Sequence, residues 1–81
     1  MAQWRTQYDC SGFPVEQAKL CGFDLSVAYI GGEWQWLVRR DGRDFAEGAA
    51  RCAAVAKEQA ANAAWRLLDV VTRTARTARA A

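Results

Sequence analysis

The chain has 81 residues, enough for one small domain, and a core of that size needs large side chains to hold a fold. Hydrophobic residues make up 52% of the sequence, with four tryptophans and one proline, a composition that argues against disorder. The net charge of +2 divides into −2 over residues 1–48 (five basic, seven acidic) and +4 over residues 49–81 (six basic, two acidic). This asymmetry is large enough to steer the approach of a charged partner, but too small to show that the partner is charged.

The N-terminal segment, residues 1–22, permits two interpretations. Pro14 follows Ser11 and Gly12 and precedes VEQAKL and Cys21-Gly22, an order typical of a short helix that ends at a glycine. The earlier stretch WRTQY could instead add an edge strand. We keep a short N-terminal helix or strand as alternatives.

Residues 23–48 predict an antiparallel sheet. FDLSVAYI and EWQWLVRR each alternate in polarity, the period-2 pattern of half-buried strands, and place Trp34, Trp36 and Val38 on one face. Gly31-Gly32 and Asp41-Gly42 predict tight hairpin turns, and RDFAEG predicts a short third strand around residues 43–47.

A long helix is predicted over residues 50–77, which contain no glycine or proline. At 100° per residue, one stripe collects the positions expected to be buried, and the opposite side is polar. The stripe consists of Ala53, Ala56, Ala60, Ala63, Ala64, Leu67, Val71, Thr74, Ala75 and Ala78. Trp65 lies roughly 140° from its centre. Either the N-terminal segment folds over Trp65, or Trp65 is exposed.

These elements predict an α+β fold, a three-stranded antiparallel meander with one long C-terminal helix packed on one face (β-β-β-α). We expect a single domain over residues 1–81, with residues 78–81 as a frayed tail. A sheet covered by an alanine-lined helix needs bulky side chains, so Trp34 and Trp36 are expected in the core.

A cytoplasmic location is expected, because no window is apolar enough to cross a bilayer and MAQWRTQYDC lacks the pattern of a secretory signal. Cys10, Cys21 and Cys52 are odd in number and form no Cys-x-x-Cys pair. A Cys10 to Cys21 disulfide is disfavoured in that compartment.

The chain contains no histidine, which removes the commonest general base and the commonest metal ligand. Three dispersed cysteines cannot complete a tetrahedral zinc site without further ligands. Asp41 and Asp44 have the context of turn residues, and no Gly-Lys-Ser/Thr follows Gly31-Gly32. We therefore expect no enzymatic activity, no metal and no cofactor.

The run from Trp34 to Leu68 resembles the second half of a double-stranded RNA-binding domain, in which two strands precede a helix with a Ser-Lys-Lys-x-Ala-Lys-x-x-Ala-Ala pattern. Cys52 stands at the serine, Lys57 at the last lysine, and Ala53 and Ala54 at the two lysines that grip phosphates in that family. The resemblance implies RNA binding as an alternative function. Its basic contacts would be Arg39, Arg40, Arg43, Lys57, Arg73, Arg76 and Arg79.

In size and character the chain also resembles the small phage-encoded inhibitors of host nucleoproteins, of which anti-CRISPR proteins are the best-known class. The resemblance implies stoichiometric binding to a larger protein or nucleoprotein, in the host cytoplasm if the protein is phage-encoded. Exposed tryptophan beside arginine is typical of interface hot spots. The predicted contacts are Trp65, Arg66, Asp69 and Arg73 on the helix, and Arg39, Arg40 and Arg43 at the hairpin. A homodimer through the same face is the further alternative.

Overall fold

The computed structural model of the chain describes residues 3–80, with side chains described for residues 3–70. Five strands and one helix follow one another along the chain. They are β1 (Arg5–Tyr8), β2 (Pro14–Leu20), β3 (Phe23–Ile30), β4 (Glu33–Arg40), β5 (Arg43–Ala50) and α1 (Ala53–Ala80). The strands form one antiparallel sheet in the order β1-β2-β3-β4-β5, so each pairs with its neighbours in the chain.

The α+β class is as expected, but the three-stranded β-β-β-α architecture is wrong, because residues 5–20 add two strands. The short helix predicted after Pro14 is strand β2, which pairs with β3 from Val15↔Ala28 to Leu20↔Phe23. VEQAKL consists mostly of good helix formers, but six residues are too few for a stable isolated helix, and pairing with β3 decides the conformation. Pro14 is tolerated as the first residue of a strand. The WRTQY alternative is realised in β1.

Three two-residue turns join β2 to β5. Both residues of Cys21-Gly22, Gly31-Gly32 and Asp41-Gly42 have positive φ, between 51° and 84°. This is the type I′ geometry, whose twist matches that of the flanking strands. The predicted turns at Gly31-Gly32 and Asp41-Gly42 are therefore present. Cys21-Gly22, which the sequence suggested as a helix end, is a third turn of the same kind.

One face of the sheet is covered by α1. The register pairs Val38 with Leu25, Trp36 with Val27 and Trp34 with Tyr29, so the three alternate residues of β4 share the face that the helix covers. From α1, Ala56, Ala60 and Ala64 are fully buried. Because alanine is short, α1 lies close to the sheet, and the bulky side chains of the core come from the strands. The large side chains with under 2% exposure are Phe23, Leu25, Val27 and Val38.

Trp36 depends on a glycine opposite it. Gly48 pairs with Trp36 across β4 and β5, and a Cβ atom on Gly48 would lie 2.6–2.7 Å from atoms of the indole ring. The indole therefore lies flat over the backbone of β5. Its Nε1 donates a hydrogen bond of 2.9 Å to Oε1 of Gln59 on α1, which ties the helix to the sheet.

A β-bulge interrupts the pairing of β4 with β5 between Val38 and Arg39. Val38 pairs with Ala46 and Arg39 pairs with Asp44, which leaves Phe45 as the extra residue. Phe45 makes an edge-to-face contact with the buried Phe23, with ring centroids 5.6 Å apart. The bulge thus turns an aromatic side chain toward the end of the core.

The N-terminal segment is attached to the helix through Lys57. The Lys57 Nζ lies 2.6 Å from Oε1 of Glu16 on β2 and 5.6 Å from the centroid of the Trp4 ring. Trp4 packs against the core cluster as a half-buried residue. The first two strands are therefore held against α1 by an ion pair, a cation-π contact and apolar packing.

Candidate protein-interaction surfaces

The outward face of α1 carries three of the residues predicted as partner contacts. Trp65, Arg66 and Asp69 are all exposed, and Trp65 exposes 56% of its surface. Val70 on the same helix is exposed by 58%. The surface that these four residues form, called the helix surface below, combines a large aromatic ring, an apolar side chain and charges of both signs. The fourth predicted helix contact, Arg73, has its side chain outside the described residues.

The N-terminal segment does not occupy the place above Trp65. Its tryptophan, Trp4, is packed against the core with the Lys57 amino group over its ring. Of the two alternatives that the sequence left open, the structure has Trp65 exposed. The helical period placed Trp65 far from the buried stripe that Ala56, Ala60 and Ala64 define, but it did not decide whether the N-terminal segment covers it.

The predicted arginine group at the β4–β5 turn is partly neutralised. Nε of Arg39 lies 2.8 Å from Oδ1 of Asp44. Nε of Arg40 lies 3.9 Å from Oδ2 of Asp41, and its guanidinium lies over the Phe23 ring. Arg43 is exposed. Three cations and two carboxylates therefore share this turn, which leaves a weak positive surface.

The structure divides the predicted contacts between the two sides of the sheet. Arg39 pairs with Asp24 and belongs to the face that α1 does not cover, whereas Trp65 lies on α1 itself. Lys57 is occupied by Glu16 and is only 27% exposed. The side chains of Arg73, Arg76 and Arg79 lie beyond residue 70 and so outside the described residues. A single surface that includes Trp65 and Arg39 is not formed.

The uncovered face of the sheet is polar and balanced in charge. Lys19, Asp24, Arg39 and Asp44 follow one another across four strands with alternating sign, and the Arg39–Asp44 pair is the closest of them. A broad depression of about 920 Å³ lies on this face, lined largely by glutamine and charged side chains. Such a face is adequately explained as a solvated sheet surface.

A third surface was missed by sequence reasoning. Tyr8 pairs with Pro14, Tyr29 pairs with Trp34, and the register that pairs Val15 with Ala28 places Pro14 beside Tyr29. These four residues form one row across β1 to β4, called the aromatic row below. Tyr8 is 72% exposed and Tyr29 is 56% exposed. Tyr29 and Trp34 are in edge-to-face contact, with centroids 5.2 Å apart.

The aromatic row lies on the side of the sheet that α1 covers, but at the end where α1 begins. Phe13, exposed by 64%, precedes Pro14 at the same end of the sheet. Three of the large apolar side chains exposed in the described part of the chain, Tyr8, Phe13 and Tyr29, therefore lie at this end. The sequence could have indicated this row. If β2 is taken as a strand, the two-residue turns fix the register of β2, β3 and β4, and this register places Pro14, Tyr29 and Trp34 side by side.

The described residues contain neither a metal-binding cluster nor a disulfide. Within residues 3–70, His, Cys, Asp and Glu side chains form no group of three that could hold a metal ion. Cys10, Cys21 and Cys52 are all free, so the Cys10 to Cys21 disulfide is not formed. Over the same described stretch, no helix combines the length and apolar character needed to span a bilayer.

No protein-family model, curated protein or solved structure matches this chain.

Proposed function

We propose that this protein acts by stoichiometric binding to a larger protein, without catalysis, and that the helix surface is its main contact. The observation that carries the proposal is Trp65, a tryptophan 56% exposed on a helix whose opposite side buries Ala56, Ala60 and Ala64 against the sheet. Exposing an indole to water is unfavourable, and tryptophan is among the residues most enriched at interface hot spots.

The surroundings of Trp65 support a protein partner. Arg66 and Asp69 supply charges of opposite sign, and Val70 adds an exposed apolar side chain one turn beyond Arg66. Such a mixture is typical of the centre and rim of a protein interface. The arginines at the β4–β5 turn are partly neutralised by Asp41 and Asp44, and this favours a protein over a phosphate backbone as the main partner.

The size and composition of the chain favour one specific form of this function, in which the protein inhibits a host nucleoprotein. In that case the partner's protein surface would meet the helix surface, and Arg43 would be available for a negatively charged group nearby. RNA or DNA binding through the basic residues is the competing function.

The test is affinity capture with immobilised protein, followed by titration of the captured protein in purified form. Trp65→Ala should weaken binding by about 2 kcal/mol, roughly 30-fold, because hot-spot tryptophans carry that much. It should change the free energy of unfolding by under about 1 kcal/mol, since the ring is already more than half exposed. Gln35→Ala, on the face of the sheet away from α1, is the matched control and should bind like the unchanged protein.

Two results would contradict the proposal. One is a Trp65→Ala variant that is folded and binds the partner with unchanged affinity. The other is tight binding of the purified protein to generic double-stranded RNA or DNA that falls by orders of magnitude between about 50 and 200 mM salt. That steep salt dependence would identify phosphate contacts as the main source of affinity.

A further inference from the structure

The aromatic row has a regular spacing set by the sheet. Tyr8 on β1 and Tyr29 on β3 are separated by one intervening strand, which contributes Pro14 to the same row. Adjacent strands lie about 4.8 Å apart, so the two tyrosines stand about 9.6 Å apart along the row. Trp34 continues it on β4, in contact with Tyr29.

This spacing matches one repeat of a polyproline II helix. Such a helix has three residues per turn and rises about 3.1 Å per residue, which gives about 9.3 Å per turn. Residues on one edge of the helix would therefore meet Tyr8 and Tyr29 in succession, with the intervening residues over Pro14. Aromatic-lined grooves are the usual docking sites for proline-rich segments, because these segments lose little entropy when they bind.

The charges around the row distinguish a peptide from a nucleic acid. Exposed Asp9 follows Tyr8 at the β1 end of the row, whereas Glu33, which pairs with Ile30, faces the other side of the sheet. Lys57 is already in an ion pair with Glu16. Arg51 follows Ala50, which pairs with Trp34, and so lies at the opposite end of the row from Asp9. A platform for stacked bases needs cations along its length, and this row has an acidic end instead.

We propose that the aromatic row is a docking site for a proline-rich peptide segment of a partner protein in the polyproline II conformation. The segment carries a basic residue at the end that lies over Tyr8, where the Asp9 carboxylate can meet it. The site is separate from the helix surface and does not depend on the function proposed for Trp65.

The test uses a synthetic peptide of ten prolines with one arginine at each end, so that either direction of binding places a cation near Asp9. A peptide with the same arginines around a Gly-Ser decamer is the flexible control. Binding is measured by isothermal titration calorimetry and by chemical-shift changes in the tyrosine and indole resonances. We expect saturable binding of the proline peptide with a Kd below about 1 mM, and at least tenfold weaker binding of the control peptide.

Three variants identify the site. Tyr8→Ala and Tyr29→Ala should each weaken binding of the proline peptide at least fivefold, and both residues are exposed enough to be replaced without unfolding. Asp9→Asn should weaken it about twofold to threefold at low salt, while its side-chain oxygen still accepts the backbone N–H groups of Ser11 and Phe13. Trp65→Ala should leave peptide binding unchanged, which separates this site from the helix surface.

Several outcomes would overturn the inference. They are the absence of saturable binding at 2 mM peptide, equal binding of the two peptides, or binding unaffected by Tyr8→Ala and Tyr29→Ala in folded protein. Sedimentation velocity tests the other occupant, a second copy of the chain. A dimer that Tyr8→Ala dissociates would assign the row to self-association instead.

Discussion

Replacing Gly48 by alanine tests the packing that joins the sheet to the helix. The added Cβ would lie 2.6 Å from Cζ2 and 2.7 Å from Cε2 and Nε1 of the Trp36 indole. Ordinary contacts between such atoms are about 3.5–4.0 Å, so the ring must move by about 1 Å. Because Nε1 is bonded to Gln59 at 2.9 Å, that movement also lengthens or breaks the hydrogen bond to α1.

The expected cost follows from three terms. Overpacking a well-packed core costs about 1–3 kcal/mol. Loss of the Trp36 to Gln59 hydrogen bond adds about 1 kcal/mol. The alanine restricts the unfolded chain and returns about 0.4–1 kcal/mol. The net loss of unfolding free energy is about 2 kcal/mol, which lowers the Tm of a domain of this size by roughly 8–16 °C.

Thermal unfolding followed by circular dichroism and tryptophan fluorescence measures this effect. Gln59→Ala removes the hydrogen bond without the clash and should cost about 1 kcal/mol or less. Trp36→Leu combined with Gly48→Ala should show a favourable coupling of at least 1 kcal/mol, since the clash is relieved. A Gly48→Ala variant with an unchanged or raised Tm would refute the reasoning, because only the entropy term would then be acting.

Two further substitutions test the ion pair of Lys57 and the β4–β5 turn. Glu16→Gln should lower the free energy of unfolding by about 1–2 kcal/mol, because Lys57 would be left part-buried without its counter-charge. A double-mutant cycle with Lys57→Met that gives a coupling under about 0.3 kcal/mol would argue against this effect. Gly42→Ala should lower the free energy of unfolding by about 1–2 kcal/mol through the positive φ of 77° alone, since nothing lies within 4 Å of the new Cβ. In urea unfolding, the midpoint of Gly42→Asn should lie closer to that of the unchanged protein, and equal midpoints for the unchanged protein and both variants would show that the turn is not strained by a side chain.

The part of the fold that the sequence predicted best is the part where local signals agree. In β3 and β4 the period-2 pattern, the aromatic residues and Gly31-Gly32 all indicate one hairpin. In α1 the alanine stripe and the absence of glycine and proline indicate one helix, observed from residue 53 to residue 80 rather than over the predicted residues 50–77. The same helical period placed Trp65 away from the buried stripe but left open whether the N-terminal segment covers it.

The missed parts are those in which local propensity and tertiary pairing disagree. Residues 15–20 favour helix by composition, but β3 offers a complete ladder of backbone hydrogen bonds, and the strand conformation wins. Pro14 can begin either a helix or a strand, so it could not decide between them. The bulge at Phe45 has no local sequence mark. Because β1 and β2 were not predicted as paired strands, Tyr8 and Pro14 could not be placed beside Tyr29, and the aromatic row could not be predicted.

The small number of large residues in the core affects how a partner could be detected. Among the described side chains, the only large ones that are fully buried are Phe23, Leu25, Val27 and Val38. We therefore expect a small free energy of unfolding. Any molecule that binds the folded state alone adds RT ln(1 + [L]/Kd), about 2.7 kcal/mol at a hundredfold excess over Kd. For a domain of this size that corresponds to a rise in Tm of roughly 10–20 °C. The melting temperature of the protein thus serves as a sensitive, label-free report of ligand occupancy at either surface.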